Sequence, residues 1–191
     1  MAEIREILKS SVLRTAPLKR SENFKPKISF YTNDIIKMKE RKLPPKVKII
    51  EALSAVADER ITIEDLLSKE WKCRSSSTPW KVYKIICNEK ENQISSNDSW
   101  STNQWFLWYP AIAFLLKIWK LKYDESILEM VKDTDWIKIK WLVHKDYESS
   151  YRLILWNLHM QWFNVDYFIS QTENIYNQIS ELHLQHLVEN S

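Results

Sequence analysis

Apolar residues recur every three or four positions along the second half of the chain, and this period predicts helices. The stripe within residues 147–163 is continuous and comprises Tyr147, Tyr151, Ile154, Leu155, Leu158 and Trp162. Asp124 and Asp135 precede two of the apolar segments and suit helix N-termini as capping residues. The predicted helices span residues 105–121, 126–132, 136–144, 147–163 and 166–187.

An earlier helix is predicted over residues 46–60, where apolar residues share one face after Pro45. The pattern then changes to the alternation of half-buried strands, with turns at Thr78-Pro79 and at residues 88–92. We therefore expect an α+β fold that is mostly helical. Its small antiparallel β-meander covers about residues 61–96 and is packed by the C-terminal set of helices.

Two prolines, Pro44 and Pro45, divide the chain into two expected parts. Residues 1–45 are predicted to form a basic N-terminal arm with two short helices, and residues 46–191 a single globular domain. Residues 1–50 hold 13 Lys and Arg against 5 Asp and Glu, whereas the rest of the chain holds 15 against 20. This asymmetry indicates an arm that binds a polyanion, or one that docks on its own domain.

If the arm binds a polyanion, its basic residues are expected to contact phosphate groups. The candidates are Arg14, Lys19, Arg20, Lys25, Lys27, Lys37, Lys39, Arg41, Lys42, Lys46 and Lys48.

Glycine is absent from all 191 residues. This excludes phosphate-binding glycine loops, dinucleotide turns and the GxSxG nucleophile elbow, because each needs left-handed backbone or close approach to the ligand. We expect Asn and Asp to occupy the left-handed positions of turns, at Asn33-Asp34, Asn88, Asn92, Asn97-Asp98 and Asn164.

The ten tryptophans suggest a surface on which nucleic-acid bases could stack, but several of them recur at helical spacing, which favours packing in a core. The set at helical spacing is Trp105, Trp108, Ile112, Leu115, Leu116 and Trp119. Large side chains are also expected to fill volume in a chain without glycine. Trp100 lies in a polar loop, and we consider Trp100 and Trp105 as candidate interface residues, although packing over the helix N-terminus is the alternative for Trp100.

Candidate chemistry is sparse. His183 and His186 are three residues apart and would share one face of the predicted helix. A metal site would account for this placement, but so would favourable contacts of histidine with the helix dipole near a C-terminus. We therefore assign no metal site. Cys73 and Cys87 are expected to be free thiols, with one bridge as the alternative. We recognise no catalytic residues, no cofactor and no small-molecule substrate.

Four segments carry a family resemblance: "LPPKVKIIEALSAVADERI", "ISSND", "YPAIAFLLKIWKLKYD" and "IYNQISELHL". Over about residues 43–187 the chain resembles a family of small uncharacterised archaeal proteins of the Sulfolobus type. The resemblance implies an intracellular α+β domain and carries over no catalytic residue. The chain departs from that pattern where glycine is expected, at Glu59 and around Trp108, and adds the basic arm.

These observations favour a non-catalytic, nucleic-acid-associated accessory protein that uses its basic arm. The alternatives are a protein–protein interaction subunit, with the arm or the Trp-rich face as its interface, and an enzyme of unrecognised type. Because no apolar run reaches the length of a membrane span and no secretory signal is visible, we expect a cytoplasmic protein without a membrane partner.

Overall fold

The computed structural model of the protein describes residues 40–62, 70–118, 120–144 and 146–186. The two short helices predicted for the arm begin outside these residues, as do the turn at Asn33-Asp34 and the basic candidates before Glu40. The helices are α1 (Lys46–Ala57), α2 (Ser99–Asn103), α3 (Tyr109–Lys117), α4 (Ser126–Val131), α5 (Trp136–Leu142), α6 (Tyr147–Met160) and α7 (Val165–Glu181). The strands are β1 (Ile61–Thr62), β2 (Glu70–Arg74), β3 (Val82–Asn88), β4 (Gln93–Ser96) and β5 (Gln185–His186).

Helix α1 lies at the centre of the fold. All its residues from Val47 to Val56 are buried, and α3, α4, α6 and α7 pack around it. Such a helix needs apolar residues on every side, and the sequence supplies them apart from Lys48, Glu51 and Ser54. The prediction of a helix in residues 46–60 is confirmed.

The five strands form one sheet in the order β1-β2-β3-β4-β5. The first four are antiparallel neighbours, with Cys73 opposite Tyr83 and Cys87 opposite Ile94. A 3-10 turn at Glu89–Glu91 joins β3 to β4. The mostly helical α+β fold with its meander over residues 61–96 is therefore as predicted.

The fifth strand contradicts the helix predicted to residue 187. Helix α7 ends at Glu181, His183 adopts a left-handed φ of 45°, and Gln185–His186 pairs in parallel with β4. The Asn92 side-chain amide donates to the carbonyl of Leu182, and this hydrogen bond fixes the turn after α7 beside β4. His183 and His186 therefore do not share a helix face.

The helix predicted from Trp105 also begins later. Trp105 has a left-handed φ of 66°, and α3 starts at Tyr109 with Pro110 in its first turn. The preceding polar segment forms the short helix α2, capped by the Asp98 carboxylate. The buried Trp108, Ile112, Leu115 and Leu116 confirm the core stripe, while Trp105 is half-buried and Trp119 lies outside the described residues.

Left-handed backbone is taken by Glu59, Asn92, Trp105, Asp133, His144, Trp162 and His183. The expectation for Asn92 is confirmed, and Glu59, where the resemblance led us to expect glycine, has a φ of 51°. Asn88, Asp98 and Asn164 instead have negative φ, and the last two cap helices. Residues with a Cβ atom thus occupy positions that cost about 1 kcal/mol or more compared with glycine.

No helix in the described ranges combines the length and the apolar character needed to cross a bilayer.

Candidate ligand-binding pocket

A cavity of about 250 Å³ lies between α1, α2, α5, α6 and the loop that joins β2 to β3. Aromatic side chains form its walls: Tyr83, Trp100, Trp108, Tyr109, Trp136 and Tyr147. Charged and hydroxyl groups complete it: Lys48, Glu51, Ser77, Ser99, Lys140 and Ser150. A concave site that combines aromatic side chains with converging polar groups is typical of small-molecule binding.

Two stacked indoles form one wall of the pocket. The rings of Trp100 and Trp108 lie 5.1 Å apart with planes 14° from parallel, and the Tyr147 ring meets both edge-on. Trp108 is buried, whereas 39% of Trp100 is exposed. The Asp98 carboxylate fixes the start of α2 by accepting from the backbone N–H groups of Trp100 and Ser101, at 3.0 and 2.8 Å.

The Lys48 ammonium lies inside the aromatic walls. Its nitrogen is 4.5 Å from the ring centroid of Trp108, 5.3 Å from that of Tyr147 and 5.8 Å from that of Tyr109. It also donates to the Glu51 carboxylate one turn along α1. Burial lowers the pKa of Lys48, and the nearby Glu51 charge opposes that shift. Cation–π contacts and an ion pair thus compensate a lysine that is almost wholly removed from water.

Glu51 has no exposed surface and joins three parts of the fold. Its Oε2 atom accepts from Lys48 of α1, and its Oε1 atom accepts from Ser76 of the β2–β3 loop and, at 3.0 Å, from Lys140 of α5. Burial alone would raise the pKa of Glu51, but the ammonium groups of Lys48 and Lys140 hold it below its ordinary value. The carboxylate is therefore ionised at neutral pH.

Lys140 completes the polar floor of the pocket. Its ammonium donates to the hydroxyl oxygens of Ser76 and Ser77, both at 3.1 Å, as well as to Glu51. Lysine and serine side chains so arranged can serve nucleophilic catalysis when the lysine has a lone pair that takes the serine proton. In this site Lys140 is paired with the Glu51 carboxylate.

The predicted phosphate contacts fall into three groups. Arg14, Lys19, Arg20, Lys25, Lys27, Lys37 and Lys39 lie outside the described residues. Lys42 and Lys46 are exposed, with Lys42 over the Phe106 ring at 5.3 Å and Lys46 paired with Glu173.

Arg41 and Lys48, the third group, are buried. The Arg41 guanidinium donates to the carbonyl of Ile94 at 2.6 Å and to that of Ser101 at 2.7 Å. Its backbone N–H donates to the carbonyl of Leu184 at 2.8 Å. Residues around Arg41 therefore pack onto β4 and the C-terminal turn, in contacts that hold the fold together.

The two candidate interface residues, Trp100 and Trp105, have different surroundings. Trp100 lines the pocket and packs over the start of α3 through Trp108, which is the alternative that the sequence left open. Trp105 lies against the His186 ring, with centroids 4.5 Å apart.

Among the residues that the structure describes, four tryptophans are largely exposed, against the expectation that tryptophan fills the core. Trp80, Trp141, Trp156 and Trp162 are 85%, 75%, 58% and 94% exposed. Trp162 follows the end of α6 and does not continue the stripe predicted for that helix.

Both cysteines are free thiols, as expected, with Cys73 buried and Cys87 half-buried. Within the ranges that the structure describes, no three His, Cys, Asp or Glu side chains lie close enough together to hold a metal ion.

The sequence reasoning missed the pocket although one clue was present. Lys48 and Glu51 interrupt the most apolar helix of the chain at a spacing that places both on one face. Charged residues inside a buried helix require partners, and these proved to come from Ser76 and Lys140, distant in sequence.

A family model described as Uncharacterised conserved protein UCP014422 matches residues 41–185, a range that includes every residue lining the pocket. No curated protein and no solved structure matched the chain. The resemblance to an uncharacterised family is thereby confirmed. Because the match covers most of the 191 residues, the chain belongs to the family of uncharacterised conserved proteins UCP014422.

Proposed function

We propose that this protein binds a small molecule with a flat aromatic ring in the pocket between α1, α5 and α6. The observation that carries this proposal is the position of Trp100. Its indole is stacked on Trp108, remains 39% exposed and borders a cavity whose other walls are also aromatic. Stacking on such a surface contributes roughly 0.5–1.5 kcal/mol beyond the burial of apolar area.

The size of the pocket narrows the ligand. At about 250 Å³ it is smaller than the range of about 300–1,000 Å³ that drug-sized ligands occupy. One or two fused rings with a short substituent suit this volume. An extended strand of nucleic acid does not.

Thermal-shift and calorimetric titration of the full chain with indole and quinoline tests the proposal. We expect saturable binding, and Trp100→Ala should weaken it by about fivefold, the equivalent of about 1 kcal/mol. Trp156→Ala is the matched control, because Trp156 is exposed on α6 and does not line the pocket. Equal weakening by both substitutions, or no binding by the unmodified protein, would contradict the proposal.

A second candidate function is association with nucleic acid through the N-terminal region, as a non-catalytic accessory role. It is favoured by the basic composition of residues 1–50, which hold 13 Lys and Arg against 5 Asp and Glu. A protein that neutralises phosphates releases counterions, so its affinity falls with salt in proportion to the number of contacts.

A mobility-shift titration over a salt series tests this second function. The variant carries Gln at Arg14, Lys19, Arg20, Lys25 and Lys27, and its control carries Gln at the exposed Lys90, Lys117, Lys120, Lys122 and Lys132. Loss of phosphate contacts should lower the salt slope by up to about four in the first variant only. Identical slopes in the two variants would exclude a role for the arm.

A third candidate function is that of an interaction subunit, which the exposed Trp141 and Trp156 support. Light scattering of the purified protein, alone and after replacement of both by Ser, tests whether these residues mediate association between copies. A monomer in both cases would count against self-association.

A cytoplasmic location and an origin among Sulfolobus-type archaea are further proposals. The location is supported by the free thiols of Cys73 and Cys87, which are typical of a reducing compartment. Fractionation of the cells that make the protein, followed by immunodetection, tests the location, and recovery with the membrane or extracellular fraction would contradict it.

A further inference from the structure

The pocket floor carries more positive than negative charge. Lys48 and Lys140 contribute two ammonium groups, and Glu51 contributes the one carboxylate among the described residues that line the cavity. Asp98 is the next acidic group near Lys48, and it also interacts with the buried Arg41, which offsets its charge. A surplus of one positive charge therefore borders a partly open space with aromatic walls.

The two ammonium groups differ in the donors that they leave available. Lys140 has an acceptor for each of its three N–H groups, namely Glu51, Ser76 and Ser77. Lys48 has one hydrogen-bond acceptor among the described residues, Glu51, and otherwise contacts the faces of aromatic rings. Since an ammonium has three donors, two make no hydrogen bond with the described residues, and only the weaker cation–π contacts compensate them.

Lys48 is also positioned to use those donors. Its side chain is 6% exposed, so water compensates it poorly, yet it lines the cavity. A buried donor without a full set of acceptors favours a ligand that supplies them, and an anionic acceptor makes the stronger bond.

We propose that the ligand is a small aromatic acid, whose ring stacks beside Trp100 and Trp108 and whose carboxylate or phosphate-like head accepts from Lys48. This inference rests on the proposed ligand-binding function and specifies its chemical class. The single surplus charge matches one anionic group, and the volume of about 250 Å³ accommodates one ring with a short acidic arm.

The test uses three compounds of nearly equal shape with the full chain: phenylacetate, its neutral amide phenylacetamide, and the cation phenethylamine. Calorimetry or ligand-observed NMR should give an affinity for phenylacetate at least about tenfold higher than for phenylacetamide, as expected for a charge-assisted hydrogen bond in a buried site. Benzylphosphonate, added as a fourth compound, distinguishes a phosphate-like head from a carboxylate by which of the two acids binds more tightly.

A substitution assigns the preference to Lys48. Lys48→Met should remove the difference between acid and amide, whereas Lys117→Met, at an exposed lysine on α3, should preserve it. If Lys48→Met does not fold, Lys48→Gln replaces it, because the Gln amide can still donate to Glu51 while the loss of the positive charge should remove most of the difference between acid and amide.

The outcomes separate the two proposals. Equal affinity for acid and amide, or tighter binding of the amine, would overturn the aromatic-acid inference and leave the ring-binding function in place. Failure of these compounds together with indole and quinoline would overturn both.

Discussion

Lys48 and Glu51 lie one turn apart on the central helix α1, and their side chains form an ion pair with almost no exposed surface. Removing one partner of a buried pair leaves an uncompensated charge and typically costs about 3–5 kcal/mol. We therefore expect Glu51→Gln to lower the free energy of unfolding by an amount in this range, because two lysines lose their carboxylate.

Urea unfolding followed by circular dichroism measures this effect. The matched control is Glu148→Gln, since Glu148 pairs with Arg152 on the exposed face of α6 and such pairs contribute at most about 0.5 kcal/mol. Partial recovery in the double variant Lys48→Met, Glu51→Gln would show that the unpaired charge causes the loss. Equal stability of the two single variants would contradict the buried network.

Acid should destabilise the protein partly through the same carboxylate. The pKa of Glu51 in the fold is lower than its ordinary value of 4.5, so its contribution to stability is complete above about pH 4.5 and is lost as the pH falls through the lowered pKa. The pKa of Asp124 is also lowered, chiefly because the Tyr167 hydroxyl donates to it, and that of Asp146 is lowered by hydrogen bonds from Ser149 at the start of α6.

Stability measured from pH 7 to pH 2 should therefore fall less steeply in Glu51→Gln than in the unmodified protein, without becoming flat. If the free energies of unfolding of the two proteins differed by the same amount at every pH, Glu51 would not contribute to the loss of stability in acid.

Arg41 should stabilise the fold more than its position beside the arm suggests. Its guanidinium is buried and donates to the carbonyls of Ile94 and Ser101, which Arg41→Ala would leave without these donors. We expect a loss of about 2–3 kcal/mol, and only partial recovery in Arg41→Lys, since an ammonium cannot reproduce the planar fork. Lys42→Ala, at the exposed neighbour, should change stability by less than about 0.5 kcal/mol in the same urea titration. A similar small effect for Arg41→Ala would argue against the bonds to the sheet.

The regular elements were predictable because their information is local. The apolar run of α1 and the alternation along β2 and β3 each lie within one segment. The start of α3 and the end of α7 were not predictable, because Trp105 and His183 turn the backbone into the left-handed region without the glycine that normally marks it.

The pocket was harder to predict than the fold for a different reason. Its floor joins Glu51 of α1 to Ser76 of a loop and Lys140 of α5, and only the packing of these elements brings the three together. Lys48 and Glu51 interrupt an otherwise apolar helix, but the sequence contains no local pattern that names their distant partners.

The thiols should react slowly and in a fixed order. Burial raises the pKa of Cys73 to about 12 and that of Cys87 to about 11, so little thiolate is present at neutral pH. Alkylation with iodoacetamide at pH 8, followed by mass spectrometry, should modify the half-buried Cys87 before Cys73. Both should react rapidly in urea, and faster labelling of Cys73 in the folded protein would contradict its burial between β1 and β3.

The last prediction concerns the left-handed residues. Glu59 has a φ of 51° directly after α1, where a residue with a Cβ atom costs about 1–2 kcal/mol relative to glycine. Glycine in turn loses about 0.5–1 kcal/mol through the greater freedom of the unfolded chain, so Glu59→Gly should stabilise the protein by up to about 1 kcal/mol. The same chemical change at Glu129, an exposed position within α4, should destabilise by about 1 kcal/mol, because glycine is unfavourable inside a helix. Thermal unfolding should therefore shift in opposite directions for the two Glu→Gly variants, and a shift in the same direction for both would show that the turn after α1 does not require left-handed backbone.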